Sequence, residues 1–383
     1  MSTSNTGAWL PVYAQFPLRV ESGQGSWLID DKGDKWLDAY GGHAVASTGH
    51  CHPAVVKAIA DQAAKLIFYS TAIPHAGREQ LAERIAALCP DPLNKVFFCN
   101  SGAEANENAL SLARKVTGRQ RMVSVTGGWH SRTVATLAVT DGAKYEEGAK
   151  RAGMPLSTKV PFNDVTAIGA AVDDSVAAVI VEPVQGLAGA RDCSPDFLRA
   201  ARIACDREGA VLIFDEVQCG AGRCGAFTAA EAYEVVPDVL TLAKGLASGI
   251  PIGAMVATTA MTSRLSVGDL GSTFGGGPVA SAAALATIDV IVKDRLVENA
   301  VLVGDHIRRG VSKLPGVTDV IGRGLLIGIV LDRPASAVQK ALFDLKVLTG
   351  TSGDPSILRL MPPLSFSRAE ANLLIDALRR VLS

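Results

Sequence analysis

Residues 211–218 read VLIFDEVQ, an apolar run that ends abruptly in two carboxylic acids and an amide. The apolar part, residues 211–214, predicts a buried strand. The same pattern occurs in four further segments, namely residues 95–99, 121–125, 177–181 and 239–242. Helix-length amphipathic stretches separate these strands. Strands that alternate with helices predict an α/β fold, with a mostly parallel sheet that helices cover on both faces.

The two ends of the chain depart from this alternation. Near the N-terminus, residues 27–29 and 35–37 flank turn residues and predict a hairpin. Beyond residue 278 a long helical stretch is expected through residue 314, followed by short strands near 325–330 and 357–360. Ser367 and Glu370 form a capping box that starts a closing helix. We therefore predict a large α/β domain over residues 45–279 and a smaller α+β domain formed by residues 1–44 and 280–383.

Composition narrows the class of partner. The chain has 383 residues, with 37 Lys and Arg against 38 Asp and Glu, and so a formal net charge of −1. Such a balance lacks the positive field that holds nucleic acid or an anionic membrane surface. Hydrophobic residues make up 48% and charged residues 20%, which excludes disordered, collagen-like and coiled-coil chains. We expect a compact protein that binds small molecules.

The seven cysteines, an odd number, do not suggest a disulfide framework. Cys219 and Cys224 have no second cysteine pair or histidine cluster nearby, so we predict no metal site. The first positive side chain is Arg19, which does not fit a signal peptide. Residues 245–263 carry no charge, but glycines and a proline interrupt them, so we expect buried core instead of a membrane span. These features predict a cytoplasmic protein.

Polar groups that follow the predicted strands are candidates for a site, because open α/β sheets bind ligands at the carboxyl ends of their strands. Residues 100–106 read NSGAEAN and precede a predicted helix. Its apolar stripe consists of Ala105, Ala109, Leu112 and Val116. Ser101, Gly102 and Ala103 would place a hydroxyl and unpaired N–H groups at the positive end of that helix, which suits a phosphate. An ordinary helix cap explains the same residues equally well.

Residues 126–133 carry a large aromatic plane and a cation on one glycine-containing loop. A planar cofactor could stack on Trp129, with Arg132 nearby for an anion. Taken without their neighbours, the two residues fit better a core tryptophan and a solvated arginine.

Asp215 and Lys244 each follow a predicted buried strand. A carboxylate in that position needs a positive partner, which is either a protonated pyridine nitrogen or an arginine. Lys244 stands between Ala243 and Gly245 in apolar surroundings. Desolvation lowers the pKa of an amine and makes it a nucleophile, although a lysine that reaches solvent explains the sequence as well.

A phosphate cradle, an aromatic plate, a strand-end aspartate and a desolvated lysine are together what pyridoxal phosphate requires. The chain also resembles a known family in four segments, which are NSGAEAN at 100–106, DEVQ at 215–218, LAKG at 242–245 and GSTFGG at 271–276. It looks like a class III pyridoxal-phosphate aminotransferase, most similar to the acetylornithine and ornithine aminotransferase group. The resemblance extends from about Gly49 to Arg359 and implies the fold of type I pyridoxal-phosphate enzymes.

The resemblance implies a role for each matching residue. Lys244 is expected to bond the cofactor and Asp215 to pair with its pyridine nitrogen. Further cofactor contacts are expected from Ser101, Gly102, Ala103, Trp129, Glu216, Val217 and Gln218, and from Thr273 to the cofactor of a neighbouring subunit. Substrate contacts are expected from Arg132, Ser272 and Arg359. The implied enzyme is a homodimer with shared active sites.

The implied reaction moves the ω-amino group of N2-acetyl-L-ornithine, or of a related ω-amino acid, to 2-oxoglutarate and gives a semialdehyde and L-glutamate. In the family this is a step of arginine biosynthesis. Two cations, Arg132 and Arg359, suit a dicarboxylic acceptor.

One departure concerns the residue after Glu182-Pro183-Val184-Gln185-Gly186, where the family usually has a glutamate that pairs with the second arginine. Here it is Leu187. Our hypothesis is that the far end of the donor is neutral or acidic, or that another acid such as Glu216 takes the place of the glutamate. Succinylornithine, ornithine, a carrier-linked lysine and other ω-amines therefore remain alternative donors. Ser131 and Gly277 also replace the usual glycine and asparagine.

Rival classes stay open at this point. Residues 220–225 read GAGRCG, which matches the dinucleotide-binding pattern Gly-x-Gly-x-x-Gly, but the segment lies late in the chain and no long helix is expected to follow it. The same fold also supports pyridoxal-phosphate enzymes that do not transaminate. A non-catalytic binding protein is the third alternative, and it gives Lys244 and Asp215 no use.

Overall fold

The computed structural model describes Ala8, Leu10 and residues 12–383. Its largest sheet has seven strands. In spatial order they are Leu93–Cys99, Gly253–Thr258, Val239–Leu242, Val211–Asp215, Val176–Val181, Arg121–Val125 and Thr158–Val160. All neighbours run parallel except Gly253–Thr258, which is antiparallel to both of its partners. The predicted α/β fold with a mostly parallel sheet is confirmed.

The centre of this sheet is buried on both faces. Every residue of Val176–Val181 and of Val211–Asp215 is buried, which is why these strands read as continuous apolar runs instead of alternating ones. The helices that cover the sheet are Pro53–Lys65, Ala76–Ala86, Gly102–Thr117, Val134–Val139, Ala143–Arg151, Val165–Ala171, Pro195–Glu208, Ala229–Tyr233 and Pro278–Lys293. The predicted stripe on Gly102–Thr117 is confirmed, because its four apolar residues are all buried.

The uncharged stretch 245–263 divides into different elements. It begins within a short 3-10 helix, Lys244–Ala247, and then forms the fully buried strand Gly253–Thr258. Our expectation of buried core is confirmed for residues 245–247 and 252–258 and is wrong for the short helix Thr259–Thr262, which has no buried residue. The sequence did not predict a strand in this stretch. In the described part of the chain no helix is both long and apolar enough to cross a membrane.

A second hydrophobic core lies where the two ends of the chain meet. The hairpin strands Trp27–Asp30 and Lys35–Asp38 pair antiparallel, and Val20–Gln24 and Val347–Leu348 complete their sheet. The strands Val317–Arg323, Leu326–Leu331, Ile357–Leu360 and Gly350–Thr351 form another sheet. The surrounding helices are Leu296–Val311, Ala335–Asp344 and Arg368–Leu382. The capping box of Ser367 and Glu370 is present as predicted.

The single long helix expected over 278–314 is wrong. The chain forms two helices, Pro278–Lys293 and Leu296–Val311. Arg295 between them has φ 53°, a left-handed conformation that cannot continue a right-handed helix. The two helices pack differently. The first contacts the core of the large sheet through Ala283 and Ile288 and the second core through Ile291, whereas the buried apolar side chains of the second helix lie in the second core.

The helix Pro278–Lys293 therefore contributes to both cores. The predicted boundaries, 45–279 against 1–44 and 280–383, stay a prediction, and residues 1–7, 9 and 11 of the smaller domain lie outside the described residues.

Candidate active site

A cavity of about 640 Å³ opens at the carboxyl ends of the parallel strands. Its size is typical of a site for a cofactor with its substrate. The predicted residues that line it are Ser101, Gly102, Ala103, Trp129, Arg132, Asp215, Val217, Gln218, Lys244 and Arg359. These residues are far apart in sequence, and the sheet brings them together because the strands that precede most of them end at one edge.

Asp215 ends the strand Val211–Asp215 and is 3% exposed. Its Oδ2 accepts hydrogen bonds from Asn106 Nδ2 at 2.7 Å and His130 Nδ1 at 2.8 Å, and its Oδ1 accepts one from the backbone N–H of Val217 at 3.1 Å. An ionised carboxylate only accepts, so His130 carries its proton on Nδ1. Two donors on one oxygen fix the carboxylate at the floor of the cavity. No arginine pairs with it within the described residues, which removes the ordinary salt bridge considered above.

Lys244 follows the strand Val239–Leu242 and begins the short 3-10 helix. Its backbone has φ 44°, an unusual left-handed conformation for a residue with a side chain. Burial lowers the pKa of its amine, while the carboxylates of Asp215 and Glu182 act in the opposite sense. A lowered pKa increases the share of neutral, nucleophilic amine. The amine therefore has the environment expected of a covalent catalyst and does not extend into bulk solvent.

Ser101 caps the helix Gly102–Thr117, since its side chain accepts a hydrogen bond from the N–H of Glu104 at 3.2 Å. Gly102 has a packing reason as well, because a Cβ on it would lie 2.5 Å from Val217 Cγ1. The cap and the anion site are compatible. The remaining N–H groups of the first turn, together with the helix dipole, still face the cavity end where a phosphate fits.

Trp129 is half-buried, and its ring lines the cavity. Its backbone N–H donates to Glu182 Oε1 at 2.7 Å, which holds the loop in place. The guanidinium of Arg132 lies 5.3 Å from the centre of the Trp129 ring. Arg132 is exposed towards the cavity, and no carboxylate lies within 4.0 Å of it among the residues described. The loop thus offers an aromatic face and an available cation, as predicted from its sequence.

Arg359 is only 4% exposed. Its guanidinium donates to the backbone oxygens of Thr351 at 2.7 Å and Gly186 at 3.0 Å, and to the hydroxyl of Tyr40 at 3.3 Å. All three acceptors are neutral, and burial lowers the pKa of Arg359. Leu187 follows Gly186 directly and lines the same cavity. No carboxylate forms an ion pair with this buried cation among the described residues, and the charge of Glu182 only partly offsets the effect of burial. Arg359 is therefore suited to bind an anion.

Three predicted residues do not line the cavity. Glu216 is buried, and its carboxylate accepts from the N–H groups of Ala229 at 2.5 Å and Ala230 at 2.9 Å, where it caps a helix. The hypothesis that Glu216 substitutes for the missing glutamate is corrected by this geometry, because the carboxylate is engaged away from Arg359. Ser272 accepts a hydrogen bond from Asn100 at 3.3 Å, and Thr273 is exposed on the surface. The contacts predicted for these residues stay predictions.

Sequence reasoning missed three residues that shape the site. Asn106 links Asp215 to the backbone oxygen of His130 and accepts from Thr241 Oγ1 at 2.6 Å. Glu182 is buried beside Asp215, and burial together with that neighbouring charge raises its pKa. Asn106 lies within the motif at 100–106, and His130 follows Trp129. Their polarity inside apolar surroundings was the available signal, but their partners come from distant strands.

The residues present fit pyridoxal phosphate. Three buried polar atoms of residues that line the cavity have no hydrogen-bond partner among the described residues, and they are Trp129 Nε1, His130 Nε2 and Gln218 Oε1. Asp215 supplies the negative charge that a protonated ring nitrogen needs, and the start of the helix after Ser101 supplies N–H donors for a phosphate. Gly186 leaves room for Gln218, because a Cβ there would overlap the amide.

The dinucleotide-binding alternative fails on structure. Within residues 220–225, no helix begins, and Gly222 and Gly225 have φ 88° and 90° in a buried turn. Arg223 is 2% exposed and donates to the backbone oxygens of Leu325 and Pro362. The glycines therefore let the chain pass close to the second core and do not cradle a pyrophosphate.

Comparison with known proteins identifies the family of the chain. Residues 11–382 match the family model described as aminotransferase class-III. The acetylornithine aminotransferase of Methanocaldococcus jannaschii is 40% identical over 385 residues, which cover 98% of this chain and 96% of that protein. That of Mycobacterium leprae is 42% identical over 378 residues, covering 97% and 92%. The ornithine aminotransferase structure from Toxoplasma gondii matches with a TM-score of 0.90 at 28% identity, over 97% of this chain and 91% of that one. The prediction of a pyridoxal-phosphate-dependent aminotransferase is confirmed, and this chain belongs to the class-III aminotransferase family.

Proposed function

We propose that this enzyme moves the ω-amino group of N2-acetyl-L-ornithine to 2-oxoglutarate, giving the semialdehyde and L-glutamate. The observation that carries the proposal is the pair of cations, Arg132 and Arg359, which lie in one cavity with Lys244. The near-full-length similarity to enzymes named acetylornithine aminotransferase supports the choice of donor.

Each of the main cavity residues has a separate role in the reaction. When bound, pyridoxal phosphate supplies the electron sink that makes the exchange of an amine for a carbonyl possible. The Lys244 amine, whose pKa burial lowers, takes the proton from the reacting carbon and returns it. Asp215 keeps a negative charge beside the ring nitrogen, and Asn106 and His130 hold that carboxylate in place. Trp129 excludes water from one side and offers a face for stacking.

The two arginines select the substrate ends. Acetylornithine carries one carboxylate, whereas 2-oxoglutarate carries two, so the acceptor can engage Arg132 and Arg359 together. Leu187 supports a second candidate donor. Because no acid forms an ion pair with Arg359 among the described residues, a donor whose far end is acidic, such as succinylornithine, also fits this charge distribution. A free terminal amine such as that of ornithine fits it poorly.

Spectroscopic titration of the purified holoenzyme tests the proposal. We expect N-acetylornithine, added alone, to remove the visible absorbance of the lysine-bound cofactor, and 2-oxoglutarate to restore it. Succinylornithine and ornithine are added separately as competing donors. A spectrum that responds to succinylornithine but not to N-acetylornithine would show that succinylornithine is the amino donor and N-acetylornithine is not. A spectrum that ignores all three would refute an ornithine-type donor.

We further propose that the enzyme is a homodimer in which Thr273 contacts the cofactor of the neighbouring subunit. Exposed apolar side chains cluster near this residue: Ile67 is 70% exposed and Phe274 is 61% exposed. The rings of Phe68 and Phe274 lie 4.8 Å apart, which joins the two segments into one surface. Apolar patches of this kind mark interaction surfaces.

Mass determination in solution, with the variant Phe274→Asp, tests the dimer. We expect the native enzyme to have twice the chain mass of 39.8 kDa and the variant to shift towards the monomer, because a charge in an apolar interface is costly. Ile203→Asp is the matched control, since Ile203 is 65% exposed on a helix outside this patch. A native enzyme that is monomeric, or two variants that behave alike, would contradict the assignment.

The balanced charge supports a further part of the proposal, namely a cytoplasmic enzyme that acts in arginine biosynthesis and has neither nucleic-acid nor membrane partners.

A further inference from the structure

One histidine in the cavity has no role so far. His43 lines the cavity together with Lys244, Leu187 and Arg359, and its side chain is exposed. Neither ring nitrogen of His43 has a hydrogen-bond partner in the part of the chain that the structure describes. An imidazole with free nitrogens that faces a ligand cavity is available to bind the ligand.

The backbone around His43 is held in an uncommon conformation. His43 has φ 67° and Ala44 has φ 62°, both in the left-handed region that side chains rarely adopt. Asp38 fixes the turn, because its Oδ1 accepts from the N–H groups of Tyr40 at 2.9 Å and Gly41 at 2.8 Å. A non-glycine residue maintained in such a conformation at a cavity is typical of a functional position.

Tyr40 connects His43 to the buried arginine. The ring centres of Tyr40 and His43 are 4.5 Å apart in an edge-on arrangement. The Tyr40 hydroxyl accepts from Arg359 at 3.3 Å. Partial burial, together with the positive charges of Arg359 and Lys244, lowers the pKa of His43, so the imidazole is neutral near pH 7 and carries one N–H. The wall of the cavity thus presents a cation and a neutral donor that both contact Tyr40.

We propose that His43 is a substrate-binding residue that donates a hydrogen bond to the carboxylate held by Arg359, and so helps to select a dicarboxylic oxo-acid as amino acceptor. This inference rests on the proposed use of 2-oxoglutarate. Leu187 contributes by leaving the space next to Arg359 free of a competing acid. A carboxylate has more acceptor sites than one guanidinium fills, so a second donor adds affinity.

Steady-state kinetics with three variants tests the inference. His43→Gly removes the imidazole without strain, because glycine adopts the left-handed conformation freely. His43→Asn keeps an N–H donor, and asparagine tolerates the same conformation. Glu234→Gly is the matched control: Glu234 has φ 55° and is exposed outside the cavity.

We expect His43→Gly to raise the KM for 2-oxoglutarate about tenfold or more, as for a lost hydrogen bond to a charged group, with a smaller change for acetylornithine. His43→Asn should recover part of the loss, and Glu234→Gly should change neither KM. The affinity of the holoenzyme for glutarate, a dicarboxylate that cannot react, should fall in parallel with the KM effect. An unchanged glutarate affinity in His43→Gly would overturn the inference.

Failure of the proposed donor is distinguishable from failure of this inference. If acetylornithine does not react but His43→Gly still weakens binding of 2-oxoglutarate and glutarate, the inference stands and the donor is wrong. If the donor reacts and the two dicarboxylates bind His43→Gly as they bind the native enzyme, the donor stands and His43 does not contact the carboxylate.

Discussion

Lys244→Ala is expected to abolish transamination, with turnover at least about 10⁴-fold below that of the native enzyme, because the amine is both the covalent attachment and the proton carrier. The fold should survive. A desolvated amine is removed, and the strand Val239–Leu242 that positions it keeps its pairing on both sides. Production of glutamate measures turnover, and thermal unfolding measures the fold.

Lys340→Ala is the control for this variant, since Lys340 pairs with Asp344 on an exposed helix surface far from the cavity. A small primary amine added to Lys244→Ala should restore part of the activity, because it supplies the missing base without the tether. Turnover near the native rate without added amine would contradict the assignment of Lys244.

Asp215→Asn is expected to lower turnover about 10²- to 10³-fold, because the negative charge that stabilises a protonated ring nitrogen is lost in a buried site. The local hydrogen bonds also suffer. If the amide oxygen takes the place of Oδ2, it still accepts from Asn106 and His130, but the amide NH₂ then faces the N–H of Val217. We expect weaker retention of the cofactor, measured by its absorbance after dialysis.

Asp30→Asn provides the matched control, since Asp30 is also a buried carboxylate, 5% exposed, but it bonds Trp36 in the hairpin away from the cavity. This variant should lose stability without a change in cofactor absorbance. Cofactor retention and turnover in Asp215→Asn within about tenfold of native values would rule out the charge pairing.

Leu187 stands where the family usually has a glutamate, and this difference affects which substrate end binds next to Arg359. Among the residues that the structure describes, Arg359 donates only to neutral acceptors, so a substrate carboxylate does not have to displace one of their acids before it binds. This arrangement favours the dicarboxylic acceptor over a donor with a neutral far end. The donor titration therefore tests which amino donor this part of the cavity accepts, and the His43 variants test how it binds the dicarboxylic acceptor.

Much of the fold could be predicted from local sequence because buried parallel strands are continuous apolar runs. The strands Arg121–Val125 and Val239–Leu242 have the predicted bounds, and the capping box at Ser367 starts the last helix as expected. The strand Gly253–Thr258 was not predicted as a strand, because small residues such as Gly253 and Ala254 carry weak strand preference and gain their pairing only from neighbours on both sides.

The candidate site, like the fold, could be predicted from the sequence only in part. Sequence alone determined which chemical groups are available, namely the amine of Lys244, the strand-end carboxylate of Asp215, the helix start at Ser101 and the cation of Arg132, since each depends on the element next to it. The desolvation of Lys244 needed the structure. Only the tertiary structure decided how these groups are used. Glu216 and Asp215 are adjacent in sequence, yet one caps a helix and the other reaches the cavity. Tyr40, which contacts His43, also meets Arg359 although more than 300 residues separate it from that arginine. Side-chain direction and long-range contact are set by packing between elements, which no local pattern encodes.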